Sequence, residues 1–270
     1  MATSAQLLVD VGEGKVQVDS SGSGPDFAII HSLLTGPEAF DQVAPSLARH
    51  LTVHRVYLPG FGSSTPLPSS QPSVADYADT VAETLAELGC GTDTTVLGNG
   101  LGSFIALALA VRHGGRFNRL IVSNTGPGFP EDRRGAFITM SELADGGGMA
   151  AVADVAIMRI FPSSYLETHP EAPAQRRAVL EAIDPGAFAA ASRALAVLDL
   201  SDDLAAIANP TLVVAGEIDQ TTPPDMGRAV AAAIPHAEFI EIPSCGHCPQ
   251  LERPDALLES IDRFMSGRES

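Results

Sequence analysis

Short apolar segments and longer amphipathic segments alternate along most of the chain, and this alternation limits the fold more than any other feature. Buried-strand patterns occur at residues 27–31, 94–97 and 211–215, and predicted helices follow them at residues 37–50, 101–113 and 224–234. Strands that alternate with helices favour a mostly parallel sheet with helices on both faces. The sequence therefore predicts an α/β fold, which begins with an antiparallel hairpin around residues 12–14.

The alternation is interrupted between residues 126 and 204. This segment has no strand pattern, and prolines and glycines separate its helical stretches at 133–143, 149–159, 174–182 and 187–198. A helical insert between two sheet strands commonly lies over the strand ends, where open α/β sheets bind ligands. We therefore predict a core formed by residues 1–125 and 205–270 and a helical cap formed by residues 126–204.

The turn between the strand at 94–97 and the helix at 101–113 has the sequence Gly98-Asn99-Gly100-Leu101-Gly102. Its outer glycines match G-x-S-x-G, a strand–turn–helix motif that raises a nucleophilic side chain above a sheet. Gly100 stands at the central position, so the motif lacks its hydroxyl. A phosphate-binding glycine loop is the alternative interpretation. We disfavour it because the turn comes after two strand–helix units and because no acidic residue ends the next strand.

Two polar residues follow later strands in the order that belongs to the same motif. Asp219 comes after the strand at 211–215, and His247 comes after the strand at 238–242. Loops at the carboxyl ends of parallel strands meet at one edge of the sheet, so we expect Asp219 within hydrogen-bond reach of His247 and the imidazole facing Gly100. Glu217, two residues nearer its strand, is the rival acid.

With these motifs in order, the chain resembles the α/β-hydrolase superfamily over nearly its whole length. Residues 31–35 and 122–125 are similar to segments of 3-oxoadipate enol-lactonases and small esterases, and residues 246–254 are similar to the histidine segment of the wider superfamily. The resemblance implies an α/β-hydrolase fold with a helical cap insert. It also implies oxyanion-binding N–H groups on Leu33 and Leu101, and a role for Asp219 in orienting His247.

The resemblance does not supply a nucleophile, because Gly100 occupies that position. Other candidates are Ser32, Ser103 and the two cysteines that flank His247. A pocket of mostly apolar character is expected beside Gly100. Its predicted lining is Ser32, Leu34, Asn99, Asn124, Phe129, Phe137, Met140, Met158, Phe161 and Cys248. Arg133, Arg134 and Arg159 either bind a substrate carboxylate there or lie on solvated helix faces.

A histidine oriented by a carboxylate is a general base with a pKa near neutrality, which activates water or abstracts a proton. The main hypothesis is therefore an enzyme, a hydrolase or lyase without a serine nucleophile. It would act on a small carbonyl compound such as an ester, a lactone or a β-diketone. One alternative is a conventional serine esterase, lactonase or C–C hydrolase in which glycine replaces the serine. A non-catalytic small-molecule binding protein is the other.

Composition limits the partners of the chain. Its net charge of −17 repels phosphate backbones and anionic lipids, so we predict neither a nucleic acid nor a membrane partner. The N-terminal residues lack the pattern of an export signal, and the 3 cysteines do not form a disulfide framework, so a cytoplasmic location is expected. No metal-ligand spacing stands out, and we predict no cofactor. Association into a homodimer is left open.

Overall fold

The computed structural model describes residues 5–267, except for the side chains of Asp154 and Met158. Eight strands form one sheet in the order β1-β2-β4-β3-β5-β6-β7-β8. They are β1 (Ala5–Val11), β2 (Gly14–Gly22), β3 (Asp26–Ile30), β4 (Thr52–Val56), β5 (Thr95–Asn99), β6 (Arg119–Ser123), β7 (Thr211–Gly216) and β8 (Glu238–Ile242). The β1–β2 and β2–β4 pairs are antiparallel, and the others are parallel. The predicted mostly parallel sheet with a leading hairpin is therefore confirmed.

Helices cover both faces of this sheet. In chain order they are α1 (Ala44–Leu47), α2 (Val74–Glu87), α3 (Leu101–His113), α4 (Glu131–Ile160), α5 (Ser163–Thr168), α6 (Ala172–Glu181), α7 (Pro185–Val197), α8 (Pro224–Ala233), α9 (Pro249–Glu252) and α10 (Pro254–Ser266). Within residues 5–267, none of them is long and apolar enough to cross a membrane.

The buried side chains of the central strands alternate between two apolar clusters. In β3, Phe27 and Ile29 join the cluster that includes residues of α1 and α10, whereas Ala28 and Ile30 join the cluster that includes residues of α2 and α3. This division follows from the strand geometry, because successive side chains point to opposite faces. The sheet is therefore the middle layer of the molecule, with an apolar core on each side.

One predicted helix is wrong. The segment 37–50 was expected to form a single helix, but it forms a 3-10 helix at Pro37–Phe40 and then the four-residue helix α1. Pro45 gives the physical reason, because it has no N–H to donate to the carbonyl of Asp41 and its ring clashes with that carbonyl in a continuous helix.

The segment between β6 and β7 is helical and adds no strand to the described sheet; Gly128 and Asp199 form an isolated bridge. The stretches predicted at 133–143 and 149–159 are two parts of α4, which is broken at Gly148 with φ 68° and ψ −173°. The short helix α5 was not predicted. The division into a core and a cap at residues 126 and 204 remains a prediction about domains.

The backbones of β5 and α3 approach each other closely at two glycines. A Cβ on Gly98 would overlap the carbonyl oxygen of Gly102. A Cβ on Gly102 would overlap the carbonyl oxygen of Ile30 and would lie 2.6 Å from the carbonyl oxygen of His31. Backbone atoms cannot move aside as a flexible side chain can. These glycines therefore set the distance between the first turn of α3 and the sheet.

Replacement of Gly102 by alanine should destabilise the protein by about 3 kcal/mol or more, because the added methyl group meets backbone on β3. Gly135→Ala is the matched control. Gly135 is exposed in α4 with nothing within 4 Å of an added Cβ, so alanine should be neutral or stabilise by up to about 1 kcal/mol. Urea denaturation of both variants measures the difference, and equal midpoints would contradict this account of the turn.

Candidate active site

Gly100 alone connects β5 to α3, and its backbone has φ 53° and ψ −120°. Residues with a side chain rarely adopt this conformation. A Cβ on Gly100 would lie 3.1 Å from Nε2 of His247 and would overlap Oγ of Ser32. The turn therefore points towards the imidazole. The hydroxyl of Ser32 fills the space where a side chain at residue 100 would begin.

The imidazole of His247 is joined to the carboxylate of Asp219. The Nδ1–H group of His247 donates to Oδ2 of Asp219 at 2.8 Å, and both side chains are almost fully buried. The same oxygen accepts from Nδ2 of Asn124 at 2.8 Å and from Oγ1 of Thr222 at 2.7 Å. Oδ1 accepts from the backbone N–H groups of Thr221 at 2.8 Å and Thr222 at 3.2 Å.

These contacts set the ionisation of both groups. Burial lowers the pKa of His247, but the charge and hydrogen bond of Asp219 outweigh burial and raise that pKa above its ordinary value. Burial raises the pKa of Asp219. The charge and hydrogen bond of His247 outweigh burial, together with the hydrogen bonds from Asn124 and Thr222, so that the pKa of Asp219 falls below its ordinary value. Asp219 is therefore ionised near neutral pH, and Nε2 of His247 is left free to exchange a proton on the side of Gly100.

Glu252 fixes the loop that carries His247. Its carboxylate accepts from the N–H of Gly246 at 2.7 Å and from the N–H of Cys248 at 2.9 Å, one residue on each side of the histidine. Burial raises the pKa of Glu252, and these two hydrogen bonds oppose that shift. Sequence reasoning missed this residue, although it lies within the segment 246–254 that carries the resemblance.

Asn99 and Asn124 were predicted to line the pocket, but both lie behind it, where they bond to the loop that carries His247. Nδ2 of Asn99 donates to the carbonyl of His247 at 3.2 Å, and its Oδ1 accepts from Gln250 at 2.9 Å. Asn124 has φ 55° and donates to Asp219 and also to the carbonyl of Gly246 at 3.0 Å. Each amide thus ties the end of a strand to the His247 loop, and neither belongs to the cavity lining.

A small, mostly apolar cavity lies beside Gly100 and His247, with room for about one water molecule (≈20 Å³). Its lining is Ser32, Leu33, Leu34, Gly100, Leu101, Phe104, Phe129, Phe137, Met140, Arg159, Leu195, Thr221, Thr222 and His247. Five predicted lining residues are among them, namely Ser32, Leu34, Phe129, Phe137 and Met140. Phe104 and Leu195 were missed, since nothing in the local sequence of α3 or α7 separates a cavity-facing residue from a core residue.

Two other predicted lining residues have different positions. Phe161 stacks on Tyr165 with ring centroids 4.7 Å apart and lies outside this cavity. Cys248 is buried beneath the loop, and burial raises the pKa of its thiol well above the ordinary value. Met158 lies outside the described residues. Phe161 and Cys248 both belong to the larger apolar core cluster.

The two backbone segments expected to bind an oxyanion both border the cavity. Leu101 is the first residue of α3, where the N–H has no acceptor within the helix. Leu33 lies in the loop after β3, which buried His31 supports. Nε2 of His31 accepts from the N–H of Leu58 at 3.0 Å, so the proton of the neutral imidazole is on Nδ1. This Nδ1–H group donates to the carbonyl of Ser32 at 2.8 Å. Burial lowers the pKa of His31 and favours this neutral form.

Two of the alternative nucleophiles point away from the cavity. Oγ of Ser103 donates to the carbonyl of Gly100 at 2.6 Å, one helical turn below the cavity. Sγ of Cys245 is buried near the carbonyl of Gly246 at 3.7 Å, and burial raises the pKa of this thiol. Ser32 is the hydroxyl residue that shares the space between Gly100 and His247.

A group of potential metal ligands lies at the other end of the sheet. Ligand atoms of Asp26, His54 and Cys90 fall within 4.8 Å of one another near the start of β3. Both ring nitrogens of His54 already have partners, Oγ of Ser20 at 2.9 Å and Oδ1 of Asp26 at 3.0 Å. Burial raises the pKa of Cys90 to about 12, which keeps the thiol protonated. The imidazole of His54 is thus already engaged on both sides by protein partners.

Comparison with known proteins places this geometry in a family. The model of the alpha/beta hydrolase family matches residues 27–260. A pimeloyl-[acyl-carrier protein] methyl ester esterase from Nitrosospira multiformis is 27% identical over 262 residues, covering 94% of this chain and 99% of that protein.

Solved structures give the same result. The enol-lactonase from Burkholderia xenovorans LB400 superposes with a TM-score of 0.90 at 25% identity, over 96% of this chain and 100% of that one. A thermophilic esterase from Thermogutta terrifontis superposes with a TM-score of 0.89 at 25% identity, over 97% and 98% of the two chains. The resemblance and the fold class predicted from the sequence are confirmed. The chain belongs to the α/β-hydrolase family.

Proposed function

We propose that the protein hydrolyses a small ester or lactone, with His247 as the general base and Asp219 as its positioning partner. The observation that carries this proposal is the buried Nδ1–Oδ2 hydrogen bond of 2.8 Å, which leaves Nε2 facing Gly100. The similar esterases and the enol-lactonase act on such compounds by their names. The cavity beside His247 and Gly100 is lined mostly by apolar side chains, as small-molecule sites commonly are.

The absence of a side chain at Gly100 favours direct attack by water. Nε2 of His247 would take a proton from water as the water oxygen bonds to the substrate carbonyl carbon. The tetrahedral intermediate would then expel the alkoxide, which receives the same proton from the imidazolium. This route forms no covalent bond to the protein. The hydroxyl of Ser32, beside the same space, would hold the water by a hydrogen bond.

The charge that develops on the carbonyl oxygen needs donors in the same place. Leu33 and Leu101, whose backbone N–H groups would be these donors, both line the cavity. Fixed backbone donors need no reorganisation as charge develops, and loss of one donor in a related setting costs about 3–4 kcal/mol of transition-state stabilisation. Two N–H donors at this position would stabilise a negatively charged oxygen, which favours a carbonyl compound as the substrate class.

Replacement of His247 by alanine should lower kcat for a methyl or p-nitrophenyl ester by about 100-fold or more, because general base catalysis contributes about 10²- to 10⁴-fold. His50→Ala, at an exposed residue away from the cavity, is the matched control and should keep its rate. Full turnover by the His247 variant would remove the pair from the mechanism. Binding of esters and lactones without turnover by the unaltered protein would favour a binding function instead.

The rate should rise with pH along one limb, because His247 accepts a proton only when it is neutral. Since Asp219 raises the pKa of His247, the midpoint of the rise in kcat/KM should lie above pH 6.5, and kcat/KM should reach a plateau at higher pH. Asp219→Asn should move this limb to lower pH and reduce the plateau, because burial then lowers the pKa unopposed. Asp202→Asn, at an exposed carboxylate, should leave the profile unchanged. A limb that stays in place in Asp219→Asn would contradict the assignment.

Restoration of a hydroxyl at residue 100 should require a second change. Gly100→Ser alone meets Oγ of Ser32 and a backbone strain of about 1–3 kcal/mol. The double variant Ser32→Gly/Gly100→Ser removes the overlap and places a hydroxyl opposite His247. It should react with a fluorophosphonate at residue 100, measured by mass spectrometry of the peptide. The unaltered protein and Ser32→Gly should resist the reagent, and labelling of the unaltered protein at Ser32 would overturn direct attack by water.

A further inference from the structure

A second buried histidine, remote from His247, belongs to a compact group of possible metal ligands. Within the described part of the chain, Asp26, His54 and Cys90 form the one group whose histidine, cysteine and carboxylate atoms are close enough to share a metal ion. Asp26 begins β3, His54 lies in β4, and Cys90 lies in the loop between α2 and β5. The three residues are far apart in the sequence, so no local spacing reveals them. They meet at the amino ends of the parallel strands, whereas His247 lies at the carboxyl ends.

The end of α2 fixes the backbone of Cys90. Gly89 has φ 76°, and its N–H donates to the carbonyl of Ala86 at 3.0 Å. The N–H of Cys90 donates to the carbonyl of Leu85 at 2.9 Å. These two bonds form a Schellman motif, in which a glycine with positive φ closes the helix and the next residue bonds back to its last turn. The thiol is therefore presented to the sheet from a fixed position.

The two partners of the His54 ring suit a metal-bound histidine. Nε2 lies 3.0 Å from Oδ1 of Asp26, and Nδ1 lies 2.9 Å from Oγ of Ser20, the residue opposite His54 in the β2–β4 pair. A histidine that binds a metal through one ring nitrogen usually donates from the other nitrogen to an oxygen, which fixes the ring. The hydroxyl of Ser20 can accept this bond as well as donate one. Nε2 then remains for the ion, beside the carboxylate.

The distances within the group are close to those around a zinc ion. Tetrahedral zinc has bonds of about 2.0 Å to nitrogen and oxygen, so two such ligands lie about 3.3 Å apart. The observed separation of Nε2 and Oδ1 is 3.0 Å. Sγ of Cys90 lies within 4.8 Å of both atoms, and a bond of about 2.3 Å to zinc requires it to move by roughly 1 Å. An ion can therefore replace the hydrogen bond between His54 and Asp26 with little change in the backbone.

Burial and charge at the group also favour a cation. The side chain of His54 is 7% exposed, that of Asp26 is 25% exposed, and Cys90 is partly buried. Burial raises the pKa of the Cys90 thiol to about 12, and the negative charges of Asp26 and Asp93 act in the same direction. A divalent cation would offset these carboxylates and displace the thiol proton. The exposed part of Asp26 provides a route for the ion to enter from solvent.

We propose that Oδ1 of Asp26, Nε2 of His54 and Sγ of Cys90 bind one zinc ion, with a water molecule as the fourth ligand. A set of one oxygen, one nitrogen and one sulfur favours zinc over magnesium and calcium, which prefer oxygen ligands. On binding, the thiol releases its proton to solvent, and the neutral imidazole carries its proton on Nδ1, where it donates to Ser20. No group is oxidised or reduced.

The zinc ion would join the loop after α2 to β3 and β4 and so stabilise the folded chain. Because the group lies at the end of the sheet opposite to His247, this role does not depend on the proposed hydrolysis.

Isothermal titration calorimetry with zinc chloride tests the site on protein that has been stripped with a chelator and then freed of it. The unaltered protein should bind one zinc ion per chain at this site. Cys90→Ser and Asp26→Asn should each weaken binding by about 100-fold or more, because each removes a ligand, and Ser20→Ala should weaken it by about 10- to 100-fold. Asp202→Asn, at an exposed carboxylate, and Cys245→Ser, at a remote buried thiol, are the matched controls and should bind zinc as the unaltered protein does.

Cobalt(II) in place of zinc identifies the sulfur ligand. A thiolate bound to cobalt(II) gives a charge-transfer absorption in the near ultraviolet, and the unaltered protein and Cys245→Ser should both show it. Cys90→Ser should lose this absorption. Its retention in Cys90→Ser would place the metal on another cysteine and overturn the proposal.

The melting temperature gives a second measure of binding and detects a variant that does not fold. Zinc at about 100 times its dissociation constant should raise the melting temperature of the unaltered protein by about 5 °C or more, and the same concentration should leave that of Asp26→Asn nearly unchanged. If Cys90→Ser does not fold, Asp26→Asn and Ser20→Ala decide the matter. Absence of zinc binding by the unaltered protein, or affinity that is equal in these two variants, would overturn the site.

Ester hydrolysis separates this inference from the proposed function. The zinc-loaded and the chelator-treated protein should hydrolyse a p-nitrophenyl ester at the same rate, because the ion lies at the opposite end of the sheet. Zinc binding that depends on Asp26 and Cys90 in a protein without ester turnover would refute the hydrolase proposal and leave the metal site standing. Turnover that is lost on chelation and restored by zinc would contradict a purely stabilising ion at this end of the sheet.

Discussion

The buried carboxylate of Asp219 is the constraint on which the arrangement of the site depends. An ionised group inside a protein is tolerated only when its oxygens are fully bonded. Asp219 meets that condition because three loops converge on it, from the ends of β6, β7 and β8, through Asn124, Thr222 and His247. The same bonds that keep the charge stable also fix the tautomer and direction of the imidazole. Stability of the carboxylate and orientation of the base are therefore one requirement.

A second layer holds the histidine from the other side. Glu252 bonds the N–H groups on both sides of His247, and Asn99 bonds its carbonyl. These contacts leave little freedom for the loop, although the turn at Gly100 supplies no side chain to hold it. The nucleophile position thus carries no side chain, yet the imidazole opposite it is held in place by bonds to its ring and to its backbone.

The alternation of strands and helices was enough to predict the sheet and its flanking helices, because buried parallel strands are short apolar runs and each crossover helix has its own apolar spacing. The proximity of Gly100, Asp219 and His247 was also predictable, since the loops after parallel strands lie at one edge of the sheet. Asn99 and Asn124 were assigned to the wrong side of the site. Their side-chain directions depend on the sharp strand ends, including the positive φ of Asn124, which the residue type alone does not determine. Residues of α3 and α7 that reach the cavity were missed because core and cavity positions have the same apolar composition.

The distribution of charge links the cavity to the rest of the molecule. A chain with a net charge of −17 repels anions at long range, but salt screens that repulsion beyond about 10 Å. Inside the cavity the dielectric constant is lower, so the single charge of Arg159 acts strongly over a few ångströms. Arg159 and Asp219 act on His247 in opposite directions, since the charge of Arg159 lowers the pKa of the imidazole and the charge of Asp219 raises it. The pKa of His247 is therefore set by these near neighbours, and the net charge of the chain has little part in it.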